Sequence, residues 1–190
     1  MKILAFADLH EGITNEEYNI LKELDFSICV LLGNIDEDSL CKIKEICNDR
    51  PIIGVEGNDD KRGVLERLDI KNIHNNLIDI RGYEFLGFSG CLPYKRMSEV
   101  YLYSQLECSV LLDYAGEADV LIAHNSPFGV HDNQDDMEHT GYKGILEYIN
   151  RVNPKLVLHG HQHINDVTEL DNGTYVVGVY GARLIDLDSI

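Results

Sequence analysis

Short apolar runs alternate with amphipathic segments along the first third of the chain. Residues 2–7 (KILAFA), 27–32 (SICVLL) and 51–55 (PIIGV) are almost uninterrupted apolar runs of strand length, the pattern of strands covered on both faces. Between them, residues 14–24 (TNEEYNILKEL) predict a helix with Thr14 as its N-cap and Glu17 in the capping-box position. Residues 37–48 predict a second helix and 60–68 a short third. This βαβαβ order implies a mainly parallel sheet.

The pattern then changes. LIDIRGYEFLGFSG (77–90) carries two strand-like runs about Arg81-Gly82 and predicts a hairpin. Residues 98–115 predict a helix, ADVLIAH a strand ending at His124, GYKGILEYINRV a helix stopped by Pro154, and KLVLHGH a strand running into a turn. Residues 125–140 are polar, irregular and rich in His and Asp, which is the composition of a functional loop. Three short strands close the chain, DVTEL, TYVVGV and RLIDL, with Asn172-Gly173 as a hairpin turn. No repeat or linker interrupts this order, so one domain over 1–190 is expected, built as two packed sheets with helices outside.

Charge narrows the choice of ligand. A net charge of -17 works against a broad nucleic-acid surface and against a nuclease, but leaves room for a small phosphorylated ligand held through a metal. Five cysteines without a CxxC pair are expected to be free thiols, mostly buried. The N-terminal apolar run is broken at Asp8 and His10, and no stretch is long enough to span a membrane, so a soluble, cytoplasmic setting is expected.

The candidate chemistry lies where the strands end. Asp8 and His10 follow the first run, Asn34 the second and Asn58 the third. His124 ends ADVLIA, while His159, His161 and His163 follow KLVL. Ligand sites of open α/β sheets form at the carboxyl ends of strands, and mixed Asp, His and Asn donors suit borderline divalent ions (Mn, Fe, Zn, Co or Ni). If the chain stays extended, the two-residue spacings Asp8/His10 and His161/His163 place each pair on one side.

These residues, read in order as Asp8-Leu9-His10, Gly33-Asn34, Gly57-Asn58-Asp59-Asp60, His124 and Gly160-His161-Gln162-His163, resemble the motifs of the calcineurin-like metallophosphoesterases. HNSPFGVHD, HTGYKGILEYI and HGHQH resemble a small single-domain branch of that superfamily. The resemblance implies a four-layer α/β/β/α sandwich of two mixed sheets and flanking helices, and hydrolysis of small phosphodiesters or phosphomonoesters. It further implies two divalent metal ions, with a water or hydroxide between them as nucleophile. Asp8, His10 and His163 would hold one metal, Asn58, His124 and His161 the other, and residue 34 would bridge them.

Two positions depart from the family pattern. The bridge is an Asp in the family and Asn34 here, so Asp8 is the only carboxylate among the seven side chains. A carboxamide is neutral and its nitrogen offers no lone pair, so a weak second metal position is expected. Asp36 is the nearby carboxylate that could substitute. Asp59 stands where the family usually has a His; as an acid it requires a raised pKa. His139, in the HTG stretch, is the other candidate for contacting phosphate or donating a proton. His131, His159 and Arg62 compete with structural roles, as does Asp60. Asp132, Asp135, Asp136 and Glu138 read as a solvated acidic patch. Tyr94, Tyr101, Tyr103 and Phe128 read as pocket or packing aromatics, and Lys95-Arg96 as a basic pair. A small phosphorylated substrate is the expected partner, with no nucleic-acid polymer and no membrane, and a homo-oligomer is compatible. The alternative is a non-catalytic metal- or phosphate-binding scaffold on the same fold.

Overall fold

The computed structural model describes residues 1–94 and 100–190, so Lys95 and Arg96 lie outside the described residues. The first half gives β1 (Lys2–Ala7), α1 (Asn15–Lys22), β2 (Ile28–Leu31), α2 (Glu37–Cys47), β3 (Ile52–Gly54), α3 (Val64–Arg67) and β4 (Lys71–Asn72). There follow β5 (Leu77–Ile80), β6 (Tyr83–Phe88), α4 (Gln105–Asp113), β7 (Val120–Ala123), α5 (Lys143–Val152) and β8 (Leu156–His159). The last three strands are β9 (Val167–Glu169), β10 (Tyr175–Gly178) and β11 (Gly181–Asp186).

Two mixed sheets result, one in the order β11-β1-β2-β3-β4 and one in the order β5-β6-β7-β8-β10-β9. Strands β1 to β4 run parallel, and β11 lies antiparallel on β1. In the second sheet β6, β7, β8 and β10 are parallel, with antiparallel strands at both edges. Side-chain alternation then makes three apolar layers. Ile3, Ala5 and Ala7 of β1 pack with Val120, Ile122 and Leu158 between the sheets. Leu4 and Phe6 face the other way, into α1 and α2. Leu121, Ala123 and Val157 face α4 and α5. This is the expected α/β/β/α sandwich, and it directs the carboxyl ends of β1, β2, β3, β7 and β8 to one edge.

Local signals explain most boundaries. Thr14 caps α1 by accepting from the Glu17 N–H at 3.2 Å, and Glu17 accepts from the Thr14 N–H at 2.8 Å, the reciprocal box expected. The hairpin turns at Arg81-Gly82, both with positive φ. Two helices are shorter than expected. The 60–68 helix is confined to Val64–Arg67, because Asp60 is engaged elsewhere and Gly63 is left-handed. Of the 98–115 segment, residues 98 and 99 lie outside the described residues, and from residue 100 on the helix starts at Gln105, after a second capping box made by Ser104 and Glu107. The two-residue strand β4 has no apolar run to announce it. All five cysteines are free, and Cys41 is the exposed one. No helix among the described residues is long and apolar enough to cross a membrane.

Candidate metal centre

The strand ends turn sharply into the site. Asp8, Asn34, His161 and His163 all have positive φ, between 51° and 64°. For non-glycine residues that conformation costs about 1–3 kcal/mol each and is held only where the surroundings impose it. Extended parity therefore does not explain the Asp8/His10 and His161/His163 pairs; left-handed turns deliver them. Gly160 is required for clearance rather than for φ, since a Cβ there would lie 2.8 Å from Asp8 Oδ2.

Asp8, His10 and His163 converge, one donor atom from each lying within 4.8 Å of the others. His10 Nε2 is 3.3 Å from His163 Nε2, and His163 Nε2 is 3.8 Å from Asp8 Oδ1. Asp8 is buried. Its Oδ2 accepts from the His161 N–H at 2.6 Å, while Oδ1 has no hydrogen-bond partner. Burial pushes this carboxyl up to about 7, against the opposing pull of the His161 N–H and of the nearby Asn34 amide, which approaches without making a hydrogen bond of normal geometry to Oδ1. A buried carboxylate oxygen without a partner, facing two imidazoles, is the arrangement a divalent cation completes.

In the second group, Asn58 and His124 are in contact and the His161 ring lies 4.9 Å from that of His124. His124 Nδ1 lies 2.7 Å from the Leu32 carbonyl, and Nε2 lies 2.7 Å from Asn58 Oδ1. Burial holds this ring well below its ordinary pKa, so it is neutral and carries one N–H. One of its two contacts therefore sets lone pair against lone pair. With Nδ1–H donating to Leu32, a cation between Nε2 and Asn58 Oδ1 removes the conflict. His161 is neutral as well, lowered to about 4 by burial; Nε2 donates to the Glu138 carbonyl at 2.8 Å, leaving Nδ1 as its lone-pair atom.

Asn34 sits between the two groups. Its Oδ1 accepts the Asp59 backbone N–H at 3.0 Å, and Nδ2 donates to Asn58 Oδ1 at 3.3 Å. A backbone N–H can only donate, so the amide orientation is fixed: oxygen toward the Asp59 loop, NH2 toward the site. Gly57 allows this approach, because a Cβ there would be 2.1 Å from Asn34 Oδ1. The residues thus fit a cation at either donor group, but not a shared ligand between them.

The flanking carboxylates have other work. Asp36 caps α2 through the Ser39 N–H at 3.0 Å and hydroxyl at 2.6 Å, and does not replace Asn34. Asp60 is a clamp rather than a partner of a histidine: its carboxylate accepts from Asn34 N and Gly57 N, both at 2.7 Å, and from Ile35 N at 3.3 Å. Burial raises its pKa and these donors lower it. Asp59, with Asp36 and Asp60, lines a cavity of about 240 Å3 beside His10 and Asn34.

His139 reaches the centre from the 125–140 loop. Its ring stacks on His161 at 5.2 Å, and Nδ1 lies 2.5 Å from Asp136 Oδ2. The acidic patch is thus partly internal bracing, since Asp132 also accepts from Gly129 N and Gly141 N at 3.0 Å each. Gln162, the variable position of the last motif, was not singled out by sequence. Its amide donates to Asn125 Oδ1 at 3.0 Å and to the His139 carbonyl at 2.9 Å, tying the loop to the ligand turn.

Other candidates fall outside. His159 donates from Nδ1 to the Gly160 carbonyl at 2.9 Å and accepts at Nε2 from His131, which in turn takes the Thr168 hydroxyl. Arg62 donates to the Val100 carbonyl at 3.0 Å and covers the Tyr101 ring. Tyr101 and Tyr103 pack on His74 rather than on the centre. Tyr94 does reach it, accepting from Asn58 Nδ2 at 2.8 Å.

Solved structures share this fold at low identity. A protein of Thermus thermophilus is 17% identical with a TM-score of 0.65, covering 99% of this chain and 95% of its own. A dimetal phosphatase from Danio rerio is 11% identical (TM-score 0.63; 95% and 87% covered). A phosphopantetheinyl hydrolase from Mycobacterium tuberculosis is 14% identical (TM-score 0.61; 95% and 89% covered). No curated protein matches by sequence. The family model described as the calcineurin-like phosphoesterase superfamily domain matches residues 1–180, and the chain belongs to that superfamily.

Proposed function

We propose that this protein is a metal-dependent phosphoesterase acting on small phosphodiesters or phosphomonoesters, with its two metal positions unequal. The observation that carries the reading is the buried, unpartnered Asp8 Oδ1 facing His10 and His163. Family membership supports it, as do two structural neighbours named as a phosphopantetheinyl hydrolase and a dimetal phosphatase. Asp8, His10 and His163 would hold one divalent ion, of the Mn, Fe, Zn, Co or Ni class. Asn58, His124 and His161 would hold a weaker second, with Asn34 at the bridging position. Bound ions would supply Lewis acidity toward the phosphoryl oxygens and lower the pKa of water.

The chain's own groups orient the reaction. Asp60 fixes the Asn34 and Gly57 turns, and Leu32 and Glu138 fix the tautomers of His124 and His161. His139, held through Nδ1 by Asp136, presents Nε2 as the atom to contact phosphate or hand a proton to the leaving oxygen. Asp59 at the cavity rim is the second candidate for that role. A scaffold reading is favoured by one feature, the Asn34 NH2 turned inward where a shared carboxylate would sit.

Hydrolysis of p-nitrophenyl phosphate and bis-p-nitrophenyl phosphate, with Mn2+, Co2+, Ni2+ and Zn2+, tests the choice. Metal-dependent turnover by the parent chain, increased in Asn34→Asp and lost in Asp8→Asn, supports the enzyme. No turnover by parent or Asn34→Asp with any metal leaves the scaffold.

A further inference from the structure

An apolar cavity of about 360 Å3 opens beside the centre, between α1 and the start of β11, and includes Phe6, Leu9, Ile13, Ile20 and Tyr180 in its lining. It lies at the same edge of the fold as Asp8. Strand β11 begins where β1 ends, with Gly181 opposite Ala7 and Ala182 opposite Phe6. The two cavities are neighbours, with Leu9 lining both this groove and the polar one next to His10. On the other flank the Tyr180 ring packs on the His163 ring at 5.0 Å. Both exposed members of the Asp8 cluster are therefore bordered by residues of the groove.

Its rim is apolar and held in place. Ile20 is 58% exposed and Tyr180 43% exposed, two large apolar side chains framing one cavity. Asn165 pins the Tyr180 backbone with two hydrogen bonds of 3.0 Å. Glu17, the one charged residue in the lining, directs Oε2 to the Thr14 N–H and hydroxyl. The neighbouring polar cavity has the opposite character, with Asp36, Asp59 and Asp60 in its lining. Those carboxylates oppose any anionic group beyond the one a metal would neutralise. The pair of cavities thus selects a ligand with one phosphoryl head and one compact apolar body.

We infer that this groove is the specificity pocket of the site, taking the aryl or branched-alkyl group of a phosphoester whose phosphoryl group lies at the Asp8, His10 and His163 cluster. The inference rests on the phosphoester reading and adds the substrate class to it. The probes are phenylphosphonate and methylphosphonate, which cannot be hydrolysed, titrated calorimetrically into the Mn2+-loaded parent chain and into Ile20→Glu. Phenylphosphonate is expected to bind about tenfold or more tightly than methylphosphonate to the parent, and the ratio to fall close to one in Ile20→Glu. With diamagnetic Zn2+ in place of Mn2+, saturation transferred from protein methyl groups should reach the phenyl protons in the parent and weaken in Ile20→Glu. Equal binding of the two phosphonates by the parent, or a ratio unchanged by Ile20→Glu, overturns the pocket while leaving the phosphoester reading in place. Binding of neither removes both. Sedimentation of the parent as a dimer that Ile20→Glu dissociates assigns the groove to a second copy and overturns the pocket as well.

Discussion

Asn34→Asp is the substitution with the most informative sign. It replaces an NH2 donating to Asn58 Oδ1 over 3.3 Å by an oxygen, and places a second carboxylate beside buried Asp8. The oxygen already bonded to the Asp59 N–H at 3.0 Å keeps its partner, so the new charge faces the centre. Two unit charges about 4 Å apart, at an effective dielectric constant of about 20, interact by roughly 4 kcal/mol. Without metal this is repulsion. Asp8, raised to about 7 by burial, relieves part of it by taking a proton, which leaves a net destabilisation of about 2 kcal/mol. For a chain of this size that lowers Tm by about 4–8 °C in EDTA. With divalent ions the same arithmetic changes sign at both positions, so the variant should gain at least about 100-fold in affinity for the second ion, roughly 2.7 kcal/mol. Thermal melts in EDTA and in Mn2+, with calorimetric titration of both chains, give the two quantities. A variant that is more stable than the parent in EDTA, or that binds metal with the parent's stoichiometry and affinity, refutes the inward-facing NH2 at Asn34.

Two further outcomes follow from neighbouring residues. Asp60→Asn leaves one acceptor oxygen for three backbone donors, so it should cost about 2–3 kcal/mol in urea unfolding and weaken metal binding, because it loosens the Asn34 and Gly57 turns together; an unchanged midpoint refutes the clamp. His74 accepts the Ser89 N–H at Nδ1 and faces the Tyr103 hydroxyl at Nε2, and burial lowers it to about 4. The unfolded chain binds that proton near pH 6.5, so its contribution is full above 6.5 and is lost as pH falls toward 4, on the order of 3 kcal/mol in total. Urea midpoints of the parent and His74→Gln between pH 4 and 7 should converge as pH falls, and parallel curves refute the assignment.

The strand-end register was legible because buried parallel strands write themselves as apolar runs, and Asp8, Asn34, Asn58, His124 and His161 each follow such a run within a few residues and are gathered, largely buried, at one sheet edge. The α1 boundary was legible for a local reason, the Thr14–Glu17 box. The same signal, Ser104 and Glu107, stands in the sequence at the true start of α4, but the longer apolar pattern around it predicts an earlier start. The order of the second sheet was hidden, because nothing local dictates that β10 joins β8 in parallel while β11 crosses to pair with β1. At the centre, residue types marked the candidate donors, but the reach of Asp8 and His163 depends on left-handed turns that a carboxylate or imidazole does not advertise. Bracing by Gln162 and Asp136 was hidden in the same way, since each acts across the chain rather than along it. Asn34 shows where the boundary falls. Its identity tells that a charge is missing. Which end of the amide faces the centre is decided by one backbone N–H, that of Asp59, 25 residues away. An amide with the shape of aspartate therefore presents a donor to the centre where a carboxylate would present an acceptor.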